Sequence, residues 1–276
     1  MAVVTTNTAA NSALRFLNFN NAEAGSSVAK IASGSRIVRA SDDAAGLAIS
    51  SRLSADVSTL RQAGINASQG ASVLQVADGG LARIGDVLQR LKALAAQSLS
   101  GVPSDTERGF INAEFSELLN EVDGIVNTTT FNGTALLNGA GTQSYFVGTS
   151  AGDNIDVNFS GLSSAANYTA STLGIGSSTV ATAGGASAAL AAVDTAIDRI
   201  SEARANVGAF VSRFEFRGQQ IATSIENIEA ANSSIKDVDL AAEQSRLVST
   251  QVLVQAAVSA LSQANQLPQA LLRVLQ

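Results

Sequence analysis

Cysteine, histidine and tryptophan are all missing from this 276-residue chain. Without Cys or His, a zinc, haem or iron–sulfur site is nearly excluded. Thiol catalysis and any histidine-based triad are excluded with them. A cysteine-free chain also suits an extracellular life without disulfides. Aromatic residues are 4% and charged residues 14% of the chain, and only two prolines occur, Pro103 and Pro268. The 46% hydrophobic fraction is largely Ala, Leu, Ile and Val, a composition for closely spaced helices rather than a deep globular core. Basic residues are scarce, the only lysines being Lys30, Lys92 and Lys236, and the net charge is −6. No basic patch is available to release phosphate counterions, so nucleic acid is not an expected partner. No window holds 18 consecutive apolar residues, so no membrane span is expected. The first 20 residues lack the n-region and h-region of a signal peptide.

What the chain does have is heptad periodicity. Steps of three and four residues give Leu190, Val193, Ile197, Ile200, Arg204, Val207, Val211, Phe214, Gly218, Ile221, Ile225, Ile228, Asn232 and Ile235, without a slip and without proline. This spacing predicts one helix with a narrow apolar seam, roughly 68 Å long at 1.5 Å per residue. Such a helix needs partners along its whole length. The polar seam positions Arg204, Gly218 and Asn232 either set register against a partner or mark places where packing loosens.

Those partners are legible elsewhere in the chain. Leu14, Leu17, Asn21, Ala24, Val28 and Ile31 step 3–4–3–4–3, a thin seam that is marginal alone and ends at Gly34 as a C′ residue. Ser41 reads as the N-cap of the next helix, with Asp42 and Asp43 in its first turn. That helix carries Leu53, Val57, Leu60, Gly64, Ala67, Ala71, Leu74, Ala77, Leu81, Ile84, Leu88, Leu91 and Ala95, with a stammer at Ala71–Ala77, and ends near Ser98–Gly101. Ser104 with Glu107 three residues on forms a capping box for a third helix. Its buried face is read as Phe110, Ile111, Phe115, Leu118, Leu119, Val122 and Ile125.

From Asn127 to Gly185 the chain turns rich in Thr, Asn, Gly and Ser. Tyr145 and Val147 alternate, Ala151–Asn154 is turn-like, and Ile155, Val157 and Phe159 alternate again, which predicts a β-hairpin. Residues 160–185 read as loop. A last helix runs from about Asp237 to Gln266, with Leu240, Leu247, Val254, Val258 and Leu261 on one face. Pro268 is expected to break it ahead of an apolar tail of Leu271, Leu272, Val274 and Leu275. The expected fold is mainly α: a long antiparallel coiled-coil rod made by the N- and C-terminal parts, with a small β-hairpin-rich central region.

Chemical motifs are few. Ser27-Val28-Ala29-Lys30 matches the S-x-x-K pattern of serine acylases, but Lys30 sits beside apolar Ile31 on a helix and no S-D-N or K-T-G companion occurs. Asp42-Asp43 has no third carboxylate within a turn or two, so a helix cap outweighs a metal pair. Asn127-Thr128-Thr129 and Asn167-Tyr168-Thr169 are glycosylation sequons, which are weak signals. No dinucleotide or P-loop glycine motif is present. The chain is not expected to be an enzyme, and no cofactor and no metal is expected.

The run Ala32-Ser33-Gly34-Ser35-Arg36-Ile37-Val38-Arg39-Ala40-Ser41-Asp42-Asp43-Ala44-Ala45-Gly46-Leu47-Ala48-Ile49-Ser50 closely resembles bacterial flagellin. So do Thr130-Phe131-Asn132-Gly133-Thr134 and Ala264-Asn265-Gln266-Leu267-Pro268-Gln269. The resemblance implies a structural subunit that polymerises into the flagellar filament for swimming motility, secreted unfolded through the flagellar type III apparatus. It implies an inner helical layer of residues 1–40 and 236–276 that orders on assembly. It implies an outer layer of 41–180 and 186–235, with a short insert at about 139–183. Arg36, Asp42, Asp43, Asn265, Gln266 and Pro268 become expected assembly residues. Expected partners are further copies of the chain, the flagellar export chaperone, and the cap and hook-associated proteins, with no nucleic acid and no membrane. Gln89, Arg90, Leu94 and Glu114 resemble the stretch that Toll-like receptor 5 of animals reads on this family, although Ala93 stands where an acidic residue is usual. The alternatives are a hook–filament junction protein of the same superfamily and a surface adhesin that binds polysaccharide through Tyr145 and Tyr168.

Overall fold

The structure is a computed structural model. It describes residues 7–139, 141–162 and 167–274, with the side chains of 161 and 267–274 left undescribed. The elements run α1 (Thr8–Ser33), α2 (Ala44–Leu99), α3 (Asp105–Thr128), β1 (Thr130–Phe131), β2 (Thr134–Ala135), β3 (Thr142–Phe146), β4 (Asn154–Asn158), a single 3₁₀ turn (Phe159–Gly161), α4 (Ala170–Leu173), α5 (Ala183–Lys236) and α6 (Leu240–Val274). The fold is mainly α with two small antiparallel sheets, as the periodicity requires. Two compact units form: residues 1–55 with 227–276, and residues 56–226.

The core of the second unit is α2, α3 and α5. From α2 it buries Leu74, Ala77, Leu81, Ile84, Leu88 and Leu91. From α5 it buries Val193, Ile200, Val207, Phe214 and Ile221, every seventh residue of the predicted seam. The alternate seam positions differ by one residue. Ala189, Ala196 and Ala203 are the buried ones, not Leu190, Ile197 and Arg204, because small side chains let the neighbouring backbones approach. The two helices run antiparallel. Lys92 pairs with Asp194 at 2.5 Å and Asp78 with Arg204 at 2.8 Å, and a Cβ on Gly70 would meet the Phe214 ring at 2.7 Å. Arg204 therefore has a register-setting partner. Gly218 instead borders a cavity of about 230 Å³ with Gly64, Ala67 and Ala71.

Ser104 and Glu107 form the predicted capping box at the start of α3. Phe115, Leu119, Val122 and Val126 are its buried residues, whereas Phe110 is 72% exposed. Phe110 lies a turn beyond that stripe and points to solvent. The Thr130–Thr134 run makes its own hairpin, with Asn132 (φ 48°) and Gly133 (φ 77°) at the turn, as Asn-Gly demands in a two-residue loop. The predicted hairpin pairs β3 with β4. Its Tyr145 ring stands edge-on to Phe214 at 5.4 Å, and Arg217 Nε donates to Val147 O at 3.2 Å. Residues 167–185, expected as loop, are more ordered than a loop. Tyr168, Ala170, Leu173, Ile175 and Val180 are buried there, Asp123 Oδ1 accepts from Ala170 N at 2.7 Å, and α5 begins seven residues before Leu190.

In the first unit, α1 packs antiparallel on α6. Leu17, Ala24 and Ile31 meet it as predicted, but the alternate positions are Ala13, Asn20 and Ser27, not Leu14, Asn21 and Val28. On α6 the inward positions are Leu247, Thr250, Val254, Ala257, Leu261 and Ala264. Leu240 and Val258 are exposed instead. Gly34 adopts φ 67° and closes α1, as expected of a C′ glycine.

Candidate assembly surface

The motif residues at 34–46 build a turn inside the first unit. Ser35 forms a β-bridge with Asp237, Arg36 N donates to Lys236 O at 2.7 Å, and Arg36 Nη2 donates to Ile235 O at 2.8 Å. The Arg36 guanidinium thus satisfies a carbonyl at the negative end of α5. Asp42 Oδ2 accepts from Val38 N at 3.1 Å and Arg39 N at 2.9 Å. These two backbone donors, Arg39 first, hold its carboxyl below the usual carboxylate range. The cap of α2 is Asp43, not Ser41: Asp43 Oδ1 accepts from Gly46 N at 2.8 Å, and its carbonyl accepts from Leu47 N at 3.0 Å. A Cβ at Gly46 would meet the Asp43 carboxylate and the Ile37 methyl, so a larger residue there must displace the capping side chain. Both carboxylates are therefore spent on backbone N–H groups. Ser27, the serine of the S-x-x-K match, is buried in the α1–α6 seam.

Asn265 and Gln266 are exposed, seven turns further along α6. Pro268 does not end the helix, which continues to Val274. A helical proline leaves the carbonyl four residues earlier without its N–H donor. That carbonyl belongs to Ala264, and it accepts from Asn7 Nδ2 at 2.7 Å. The same Asn7 caps α1 through its Oδ1, which accepts from Ala10 N at 3.0 Å. One asparagine thus serves the start of α1 and the gap left by Pro268. The apolar tail side chains at 271, 272, 274 and 275 lie outside the described residues.

The alternation of large and small residues at the α1–α6 seam leaves other large apolar side chains outside it. Leu14, Phe16, Phe19 and Val28 of α1, and Val248, Val252, Leu253 and Val258 of α6, are exposed. Between the helices lies a groove of about 460 Å³ lined by Ala13, Phe16, Phe19, Leu253, Ala256 and Ala257. From Leu240 to Gln266 the helix is long and apolar enough to cross a membrane by length and composition, yet only 17% of that window is buried. Counting consecutive apolar residues missed this, because Ser, Thr and Gln interrupt a run whose mean hydropathy is still 1.2. An uncovered apolar face of this size marks an interaction surface. Phe16, Phe19, Val252 and Leu253 are the exposed candidate residues that the seam reading passed over, and their off-seam position on an apolar helix was the available signal.

The four residues of the expected receptor patch separate. Arg90 Nη2 and Glu114 Oε1 pair at 2.6 Å on the surface, and Gln89 is exposed beside them, but Leu94 is buried. In the insert Tyr168 is fully buried and Tyr145 is packed on Phe214. Neither ring is presented as a platform for a sugar.

Residues 4–142 match the model of the bacterial flagellin N-terminal helical region, and residues 190–275 match that of the C-terminal helical region. A flagellin of Halalkalibacterium halodurans is 35% identical over 99% of both chains. A flagellin of Listeria monocytogenes is 37% identical over 99% of both. The flagellar filament 30.7 kDa core protein of Treponema maltophilum is 35% identical over 91% of this chain and 92% of its own. Among solved structures, a putative flagellar hook-associated protein from Vibrio parahaemolyticus shares the fold at TM-score 0.59 and 13% identity, over 71% of this chain and all of that one. The chain belongs to the bacterial flagellin family, structural proteins that self-assemble into the extracellular flagellar filament, and it is a filament subunit of that kind.

Proposed function

We propose that the exposed apolar face of the α1–α6 pair is the surface that neighbouring copies cover when the filament forms. The observation that carries this is the concentration of uncovered large apolar side chains, Phe16 and Phe19 with Val252 and Leu253, on one helix pair. Burying each such side chain contributes about 1.5–3 kcal/mol, which offsets the entropy of ordering a thin two-helix unit. Residues 1–40 and 236–276 then form the inner layer. Residues 41–180 and 186–235 form the outer layer, with the 139–183 insert toward solvent. Export proceeds with the chain unfolded, in the company of a flagellar export chaperone, and growth takes place beneath cap and hook-associated proteins. Asn265, Gln266 and Pro268 act at the end of α6 that meets neighbours. Arg36, Asp42 and Asp43 support assembly by fixing the turn that joins α1 to α2.

The test is seeded polymerisation followed by electron microscopy. Wild-type protein is expected to give long filaments, and Phe19→Ser with Leu253→Ser to give none while keeping the circular dichroism of the monomer. Filaments of ordinary length from the double variant would overturn the assigned surface.

A second reading concerns the surface ion pair of Arg90 and Glu114 beside Gln89. These three present an exposed polar patch to Toll-like receptor 5, with Leu94 contributing only as packing beneath it. Arg90→Ala is expected to lower signalling in a receptor reporter assay, and an unchanged response would remove the assignment.

A further inference from the structure

One side chain joins the start of α1 to the end of α6, and two features of the helix pair give that bond a role beyond capping. The first is the seam. Much of it is small or polar, with Ala13, Asn20, Ala24 and Ser27 on α1 and Thr250, Ala257 and Ala264 on α6. Such a seam defines its register poorly, and a single polar pairing can fix it. The second is Pro268, which has no N–H to offer Ala264 O, four residues earlier in the helix. Ala264 is only 8% exposed, so its carbonyl needs a protein donor once α1 lies against it. Asn7 Nδ2 donates to that carbonyl at 2.7 Å, while Asn7 Oδ1 accepts from Ala10 N at 3.0 Å. The two halves of the amide are not interchangeable, since an N–H needs the oxygen and a carbonyl needs the NH2. Sliding α1 by one heptad would bring Leu14 to this place, and leucine has no donor.

We infer that Asn7 is a positioning residue for assembly: it locks α1 and α6 in the one register that satisfies the Ala264 carbonyl, and so sets the path of the last turns of α6. This rests on the filament reading above, in which Asn265, Gln266 and Pro268 meet neighbouring copies. Pro268 makes the lock selective. With any other residue at 268, a helical N–H would satisfy Ala264 O in every register, and the end of α6 would form whether or not α1 had docked correctly. With proline there, the end of α6 depends on a residue 257 positions away in sequence. The Glu23–Arg246 ion pair, further along the same helices, is solvent-accessible and leaves no buried carbonyl stranded when it opens.

The test is a double-mutant cycle read by seeded filament growth. Asn7→Ser keeps a good cap for α1, but its short side chain does not reach Ala264 O. On its own it is expected to slow elongation about tenfold. In a chain that already carries Pro268→Ala, where the restored N–H serves the carbonyl, the same change is expected to slow it less than about twofold. Equal losses in the two backgrounds would overturn the coupling, because a role confined to capping α1 does not depend on residue 268. A second readout stands apart from growth, and decides the matter even if Pro268→Ala alone stops elongation. The carbon-13 shift of a labelled Ala264 carbonyl is expected to move on Asn7→Ser and to stay fixed when Pro268→Ala is already present. A shift that Asn7→Ser leaves unmoved overturns the inference. Wild-type protein that does not elongate from seeds would instead overturn the filament reading and leave the carbonyl shift to judge the Asn7 bond.

Discussion

Two glycines on facing helices act in opposite ways. A Cβ at Gly70 would stand 2.7 Å from the Phe214 ring, which Tyr145 holds edge-on at 5.4 Å. Gly70→Ala must displace that ring and is expected to destabilise the second unit by about 1–3 kcal/mol. A Cβ at Gly218 meets nothing within 4 Å, so Gly218→Ala removes only the helix penalty of glycine and is expected to stabilise by about 0.5–1 kcal/mol. Urea titrations of the two variants check the signs. Three carboxylates share another residue-level property. Backbone N–H groups lower the pKa of Asp42 (Arg39 first), of Glu107 (Ser104, through backbone and hydroxyl) and of Asp153 (Ser150 first). A carboxylate whose folded pKa is depressed contributes stability that is fully present above its unfolded value near 4 and is lost as pH falls through the folded value. The melting temperature is therefore expected to be flat from pH 7 to 5 and to fall below about pH 4. Replacing the three by Asn, Gln and Asn should flatten that acid limb, and an unaltered limb would remove these groups as its cause.

At the scale of elements, the heptad rule located every long helix and nearly the whole α2 seam, but misplaced the alternate positions of the α1 and α5 seams. The positions that repeat every seven residues, Leu17, Ala24 and Ile31 against Leu247, Val254 and Leu261, were legible because apolar residues stand there. The alternating positions Ala13, Asn20, Ser27 and Thr250 were not, because small and polar residues look like surface until a partner helix lies close enough to need them. Pro268 was misread for a related reason. A proline rule counts the lost N–H bond within the helix, whereas here Ala264 O is satisfied from outside by Asn7. Asn7→Ala removes that donor and the α1 cap together. The loss is expected to be about 1–2 kcal/mol of local stability, read as faster amide hydrogen exchange in the first turn of α1 and in α6 around Ala264. Exchange unchanged in α6 would mean that the Asn7 amide does not serve the carbonyl released by Pro268.

For the molecule as a whole, the sequence patterns carried the fold class and the terminal motifs carried the family, but the apolar surface was hidden in them. Heptad reading looks for residues that pair within one chain, and Phe16, Phe19, Val252 and Leu253 stand exposed outside the pairing of α1 with α6. The motif residues Asp42 and Asp43 were legible as important without being legible as internal. Their carboxylates are consumed by the turn they build. The two compact units give a way to separate assembly from folding. Both tyrosines, Tyr145 and Tyr168, lie within residues 56–226, so near-ultraviolet tyrosine signals report on that unit alone. Deleting residues 262–276 removes the Ala264 carbonyl that Asn7 caps and the last turns of α6, while it touches none of the core built by Leu81, Leu88, Phe115 and Phe214. The truncated protein is expected to lose seeded filament growth entirely, to show lower far-ultraviolet helicity from the terminal pair, and to keep the tyrosine-monitored unfolding midpoint within about 0.5 kcal/mol of wild type. Normal filament growth would remove the end of α6 from assembly. A shifted tyrosine midpoint would mean that the two units do not unfold independently.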